Sequence, residues 1–382
     1  MGARRGFPLA ARSGYVGRME TDFLVIGGGI AGVSVGARLS HLGRVALLEA
    51  EAGLGYHASG RSAALFDECL GAAPIVELNR ASHAYHATAN GGVLSPRGLM
   101  VVGRAEDAAA FEHDVAHMRL SRLTVDEARA RMPILNPDAV AFAGYHGDAW
   151  DLDTDRLIQD FARDIRANGG TVATGTRVTA ITRTGTGWRV ETGRETVAAR
   201  VLVNAAGAWA DEVARMAGVA PLGMTPMRRS MARLPAPGGQ DIRAWPMAVG
   251  AGERWYCKPD AGKLLVSPAE EHPMPPHDAF ADDMVLAEGL ARYEEMVTEP
   301  VTRVETNWAG LRTFAPDRLL VIGFDPLDPA FFWHAGQGGV GFQTAPAASQ
   351  LAADIVAGRP PEIGAALAAA FSPARFATCP AA

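Results

Sequence analysis

The chain has 382 residues, 36 Lys+Arg against 42 Asp+Glu for a formal charge of −6, and 48% hydrophobic and 20% charged residues. That length suits two or three units, each able to bury its own core. The dispersed, mildly acidic charge excludes a surface built for nucleic acid, whose phosphates demand a basic patch. Three cysteines, Cys69, Cys257 and Cys379, include no C-x-x-C pair, so a reducing, cytoplasmic setting is expected.

No uninterrupted apolar run reaches the roughly 18 residues of a membrane span. The first 18 residues carry four Arg and no acid, and Arg4-Arg5 faintly resembles a twin-arginine export signal. Export requires an apolar run next, which Arg12 and Ser13 interrupt. Residues 1–18 are therefore read as a disordered extension, with Met19 an alternative start.

Phe23-Leu24-Val25-Ile26 is a short apolar run halted by Gly27-Gly28-Gly29, after which Ile30, Val33, Ala37 and Leu39 recur at helical spacing. The pattern predicts strand, tight turn, helix. Residues 44–49 form a second buried strand ending in Glu49, which completes a βαβ unit. Farther on, Asp153-Thr154-Asp155 precede a helical pattern over 156–167 that stops at Asn168-Gly169-Gly170. β-rich runs follow over 171–182, 187–192 and 196–203, the last entering a turn at Asn204-Ala205-Ala206-Gly207. Residues 222–306 are rich in Pro and Met and alternate in polarity, as in an antiparallel sheet of a separate domain. Buried strands return at 319–323 and 331–334, followed by a Gly-rich turn at 336–341 and an Ala-rich helix.

Gly27-x-Gly29-x-x-Gly32 follows a strand and opens a helix, and Glu49 ends the next strand about twenty residues on, the spacing a dinucleotide site requires. Gly27 allows the turn, Gly29 lets backbone approach a pyrophosphate, and Gly32 lets helix and strand pack closely. Ile30 and Ala31 contribute N–H donors at the positive end of the helix dipole, and Glu49 suits a ribose diol. Two further segments favour FAD over a nicotinamide. A polar, Gly-containing stretch at 55–63 follows the ribose acid closely, and Gly338-Gly339-Val340-Gly341 opens a second helix able to aim N–H donors at the pyrimidine edge of a flavin. The expected fold class is thus α/β: a Rossmann-like FAD-binding domain with a second, mainly antiparallel β-sheet substrate domain.

With these residues in place the sequence resembles the D-amino acid oxidase-like family of FAD-dependent oxidoreductases, most closely its bacterial D-arginine and D-amino acid dehydrogenases. The similar stretches are DFLVIGGGIAG at 22–32, GYHASGRSAA at 55–64, VLVNAAGAWA at 201–210, WYCKPDAG at 255–262, WAGLRTF at 308–314 and GQGGVGFQT at 336–344. The resemblance implies a flavin domain from residues 19–90, 152–214 and 309–382, and a substrate domain from 91–151 and 215–308. It adds Ser59, Gly60, Arg61, Ser62, Ala63, Val178, Ala206, Gly207, Trp209 and the run Phe342, Gln343, Thr344 as flavin contacts, with Gln343 and Thr344 also able to reach substrate. Arg312 resembles the arginine that receives the substrate carboxylate, a task suited to a planar fork. Tyr256 and Arg229 resemble its supporting contacts, although the doublet Arg228-Arg229 leaves the choice to the resemblance. Gly339 is expected to offer its carbonyl to the substrate amine.

Some residues depart from that pattern. Relatives that accept cationic side chains carry a carboxylate in the segment here reading 95–100, where this chain has Leu99. Asp67 and Glu68 are left as acids that could still attract a cation. Covalent flavin typically uses a cysteine just before Gly310-Leu311-Arg312, and none stands there, so noncovalent FAD is expected.

Other patterns have plainer readings. Ser34 in Gly32-Val33-Ser34-Val35-Gly36 lies inside the first helix and not on a hydrolase elbow. His113 and His117 share a helical face without a third metal ligand at matching spacing. Asp151, Asp153 and Asp155 precede a helix N-terminus, which favours acids without any cation. His57 and His334 are candidate bases with no support beyond their residue type. The expected activity is oxidation of a small amino acid, expected to be a D-amino acid, to its imino acid, with the electron acceptor unknown. The alternatives are oxidation of a 2-hydroxy acid or a secondary amine, as in glycine and sarcosine oxidases, or a non-catalytic flavin-binding protein.

Overall fold

The computed structural model describes residues 18–376. The Arg4-Arg5 pair, the extension through residue 17 and Cys379 lie outside the described residues, whereas Arg18 already opens the first strand. β1 (Arg18–Ile26) pairs in parallel on both sides, with β2 (Val45–Leu48) and with strand Thr196–Asn204. Leu24 and Val25 point to opposite faces and both are fully buried, which is why the run shows no polar alternation. α1 (Ile30–Leu39) makes the crossover and packs with helices Thr154–Ala167 and Gly341–Ala357 on one face of the sheet. Strand Phe331–Ala335 pairs with Thr196–Asn204, Leu202 opposite Phe331, so a segment from late in the chain completes a sheet begun at its start. The helix expected over 156–167 begins at Thr154 because Asp153 is its N-cap, accepting from the Arg156 N–H at 3.0 Å.

Among the described residues the second sheet has nine strands. Its long strand Thr225–Leu234 pairs antiparallel with Thr306–Phe314 along its whole length, Arg229 opposite Gly310 and Met227 opposite Arg312. A boundary at 308/309 therefore falls inside a strand of this second sheet, and Arg312 stands on the same sheet as Arg229. Strands Tyr256–Asp260 and Lys263–Ser267 pair antiparallel as a hairpin within the region read as an antiparallel sheet. Two features were not legible. Strand Met247–Gly250 pairs in parallel with the distant Leu99–Gly103, and a helix, Asp283–Glu294, interrupts the 222–306 region. Asp282 caps that helix, and Gly289 lets it lie directly on Pro268.

Ser34 is fully buried in α1 with its hydroxyl on the Ala31 carbonyl. The rings of His113 and His117 stack 5.8 Å apart on helix Ala108–Met118. Among the described residues no helix is long and apolar enough to cross a membrane.

Two buried histidines make stability depend on pH. Desolvation is the main cause pulling the pKa of both His86 and His334 down to about 4. In the unfolded chain a histidine titrates near 6.5. With the folded pKa depressed, the unfolded state binds more protons between about pH 6.5 and 4, so stability falls as pH drops through that window. The loss amounts to about 2 kcal/mol per histidine at about pH 5. His334→Leu is expected to shrink the difference in Tm between pH 7.5 and pH 5. Equal differences in variant and parent would contradict this account.

Candidate active site

One cavity runs from the N-terminus of α1, along the carboxyl ends of the first sheet's strands, to the inner face of the second sheet. That is where ligands bind in open α/β sheets. Gly27 has φ +108°, and a Cβ there would strike the Ala205 carbonyl, so only glycine makes this turn. Gly29, the N-cap of α1, carries no side-chain cap, and its missing Cβ keeps backbone open to the cavity. Glu49 leaves β2 into the cavity wall, where its carboxylate accepts from the N–H groups of Gly28 at 2.6 Å and Glu51 at 2.7 Å. Two fixed N–H donors orient the carboxylate and leave it lone pairs for a ribose diol.

The 55–63 segment folds back over this helix end as a short 3₁₀ turn, Ala58–Arg61, and the Ser59 hydroxyl accepts from the Ile30 N–H at 3.0 Å. Ile30, Ala31, Ser62 and Ala63 line the cavity with it, as do Val178, Ala206, Gly207 and Trp209 from other segments. Gly32 and Gly60 do not line the cavity. They sit where a Cβ would collide with the carbonyls of Gly27 and Gly55, so their role is packing behind it. Arg61, expected as a flavin contact, lines the cavity and also donates to the carbonyls of Ala279 at 2.8 Å and Ala309 at 2.7 Å and pairs with Asp278. It fastens the flavin-side turn to the second sheet and to the loop before helix Asp283–Glu294.

At the opposite end Gly338, Gly339, Gly341 and Phe342 line the cavity. Val340 is the N-cap of the Ala-rich helix, and its carbonyl accepts from the Thr344 hydroxyl at 2.9 Å. Thr344 and Gln343 are buried away from the cavity, and the Gln343 side chain accepts from the Asp67 N–H at 2.8 Å. Both therefore tie the helix to its surroundings and do not reach toward a ligand. Asp67 is buried against His146 at 2.9 Å and Glu68 is paired with His83, so neither acid is placed to attract a cation into the cavity.

Arg312, Arg229 and Tyr256 converge on the cavity from the second sheet. The doublet is resolved by strand alternation: Arg229 faces the cavity, while Arg228 points to the other side, 3.7 Å from both Glu270 and Asp282. Arg229 is buried and already engaged, at 2.8 Å with Glu253 and 3.1 Å with Glu271, and lies 5.9 Å over the Tyr256 ring. Burial opposes its charge, but Tyr256 and the two carboxylates outweigh it and hold its pKa above the usual value. Arg312 differs: it makes no hydrogen bond or ion pair among the described residues, and its guanidinium lies against the Gly339 turn. Burial, and then the neighbouring Arg229, push its pKa down. A desolvated, unpaired guanidinium opening on a cavity is a site for an anion.

Residues that sequence reasoning missed include Met231, His277, Ala279 and Gln337, all on the cavity wall. Met231 carried a signal, since it shares the strand face of Arg229 two positions on. His277 and Ala279 carried none. His57 lines the cavity 3.2 Å from Glu51 and against Trp209 at 4.7 Å, whereas His334 lies in the core of the first sheet. Leu99 packs in the apolar cluster containing Tyr256 and Met231.

The glycine cradle, Glu49 with its two N–H donors and the second glycine turn line one cavity that would fit an extended dinucleotide. Fold and cavity together define a flavin-dependent oxidoreductase. Residues 22–355 match the DAO family, FAD dependent oxidoreductase, and the chain belongs to it. Its cofactor is FAD.

Among similar proteins, glycine oxidase of Geobacillus kaustophilus is 26% identical over 359 residues, covering 88% of this chain and 92% of that one. Its crystal structure superposes with a TM-score of 0.76 over 89% of this chain and 95% of that one, at 23% identity. L-proline dehydrogenase from P. horikoshii superposes with a TM-score of 0.79 at 20% identity, over 94% of this chain and 98% of that one. FAD-dependent oxidoreductase domain-containing protein 1 of Mus musculus is 24% identical over 402 residues, 88% of this chain and 81% of that protein. The match to its Bos taurus counterpart spans 62% of that protein's length.

Proposed function

We propose that the protein oxidises the Cα–N bond of a small amino acid, with a D-amino acid as the expected substrate. The Cα hydrogen leaves with its electron pair, and the imino acid formed then takes up water to give the 2-oxo acid and ammonia. FAD supplies the two-electron acceptor, and oxygen, a quinone or a protein carrier reoxidises it. What supports this reading is Arg312, a guanidinium without a hydrogen-bond or ion-pair partner among the described residues, facing the cavity where the second glycine turn meets the second sheet. It holds the substrate carboxylate, Tyr256 assists, Arg229 with its two carboxylates keeps that wall rigid, and the Gly339 carbonyl receives the amine. Most of the rate gain then comes from orientation. In this reading the first sheet binds the cofactor and the second roofs the substrate. Cys69 and Cys257 are free thiols, consistent with a reducing compartment, and we place the protein in the cytoplasm.

Secondary-amine oxidation is the second reading, favoured by the structural likeness to L-proline dehydrogenase. Anaerobic bleaching of the bound flavin separates them. A panel of D- and L-amino acids, proline, sarcosine and 2-hydroxy acids is expected to bleach most rapidly with primary D-amino acids. Bleaching by hydroxy acids alone would reverse the assignment, and readmitting air then reports whether oxygen is the acceptor.

A further inference from the structure

Lys258 lies two residues beyond Tyr256 on strand Tyr256–Asp260, hence on the same face, and only 5% of its side chain is exposed. Its ammonium pairs with Asp151 at 2.8 Å and lies 3.5 Å from the Ala64 carbonyl. The same Asp151 carboxylate also accepts from Arg97, whose other donors end on the carbonyls of Arg243 and Trp245 at 2.7 Å. Two enclosed cations thus share one carboxylate, and among the described residues no second acid hydrogen-bonds either. Burying excess charge is costly and a fold gains nothing from it unless an opposite charge arrives nearby.

The neighbourhood says where that charge arrives. Ala64 adopts φ +57°, a left-handed conformation unfavourable for alanine. Its carbonyl is held by the Leu152 N–H at 3.0 Å and faces the Lys258 ammonium. The residues just before it, Arg61, Ser62 and Ala63, line the flavin cavity, as does Tyr256.

We propose that Lys258 is a positioning residue for the cofactor: held by Asp151, it fixes the Ala64 turn that sets the 61–63 lining, and its uncompensated charge favours the reduced, negatively charged flavin. The inference rests on FAD binding, not on the choice of substrate. The test is the midpoint potential of the bound flavin in the holoenzyme, by equilibration with redox dyes, for Lys258→Met, Lys258→Arg and Asp151→Asn. Lys258→Met is expected to lower the potential and Lys258→Arg to restore it toward the parent value. Asp151→Asn, which removes the compensating anion, is expected to raise it. A purely structural lysine would lower thermal stability in these variants and leave the potential where it was. An unchanged potential in Lys258→Met, or a shift of the same sign in Lys258→Met and Asp151→Asn, overturns the proposal. Should Lys258→Met fail to fold, a potential in Asp151→Asn at or below the parent value overturns it equally.

Discussion

Arg312→Lys is expected to yield a yellow, folded protein whose kcat/KM falls by about 2–3 kcal/mol, some thirty- to two-hundredfold, the scale of a lost hydrogen bond to a charged group. The ammonium keeps the charge but not the planar pair of donors that a carboxylate fits. Arg312→Met carries a stronger expectation because of what surrounds the residue. The guanidinium has no ion-pair partner among the described residues, and its pKa is lowered first by burial and next by Arg229. Removing it should abolish turnover and at the same time raise Tm, since a desolvated cation beside another cation is replaced by an apolar chain of similar length. Steady-state kinetics and thermal unfolding of the same FAD-loaded preparations check both halves. A Tm that falls in Arg312→Met would show that the guanidinium is compensated in the protein and does not await an anion. Unchanged kinetics in Arg312→Lys would remove it from the site.

The parts of the site that were legible are those whose requirements are local. Gly27, Gly29, Gly32 and Glu49 lie on one strand-turn-helix-strand unit, so their spacing alone carries the dinucleotide reading. The carboxylate anchor proposed at Arg312 was legible only through resemblance, because nothing adjacent to Arg312 distinguishes it from other arginines on alternating strands. What was not legible depends on partners far away in the chain. Arg61 lines the cavity as expected, but its pairing with Asp278, 217 residues on, has no signal in the sequence. Gln343 looks like a flavin contact until the Asp67 backbone, 276 residues earlier, claims it. Helix Asp283–Glu294 escaped notice for a different reason: only Leu286, Gly289 and Tyr293 are buried on it, too thin an apolar stripe to show against the alternating strands around it. The doublet at 228–229 shows the limit from the other side. Strand alternation requires the two arginines to diverge, but which one faces the cavity follows from the pairing with Thr306–Phe314.

Two glycines of one motif should respond in opposite ways to the same substitution. Gly32→Ala is expected to abolish accumulation of folded protein, with or without added FAD. Its Cβ would lie far inside contact distance of the Gly27 carbonyl oxygen, and the carbon behind that oxygen is only 2.9 Å away. Those atoms are backbone in a turn that Gly27 already holds at φ +108°, so they have nowhere to move. Gly29→Ala meets only the Ser59 hydroxyl, at 3.1 Å, and its φ of −74° is open to any residue. That variant should fold and unfold as the parent apoprotein does, yet bind FAD at least tenfold more weakly, because the added methyl stands where backbone must meet the cofactor's phosphates. Isothermal titration of apoprotein with FAD, beside circular dichroism of both variants, separates the two roles. Parental FAD affinity in Gly29→Ala would mean that the pyrophosphate does not lie over this turn.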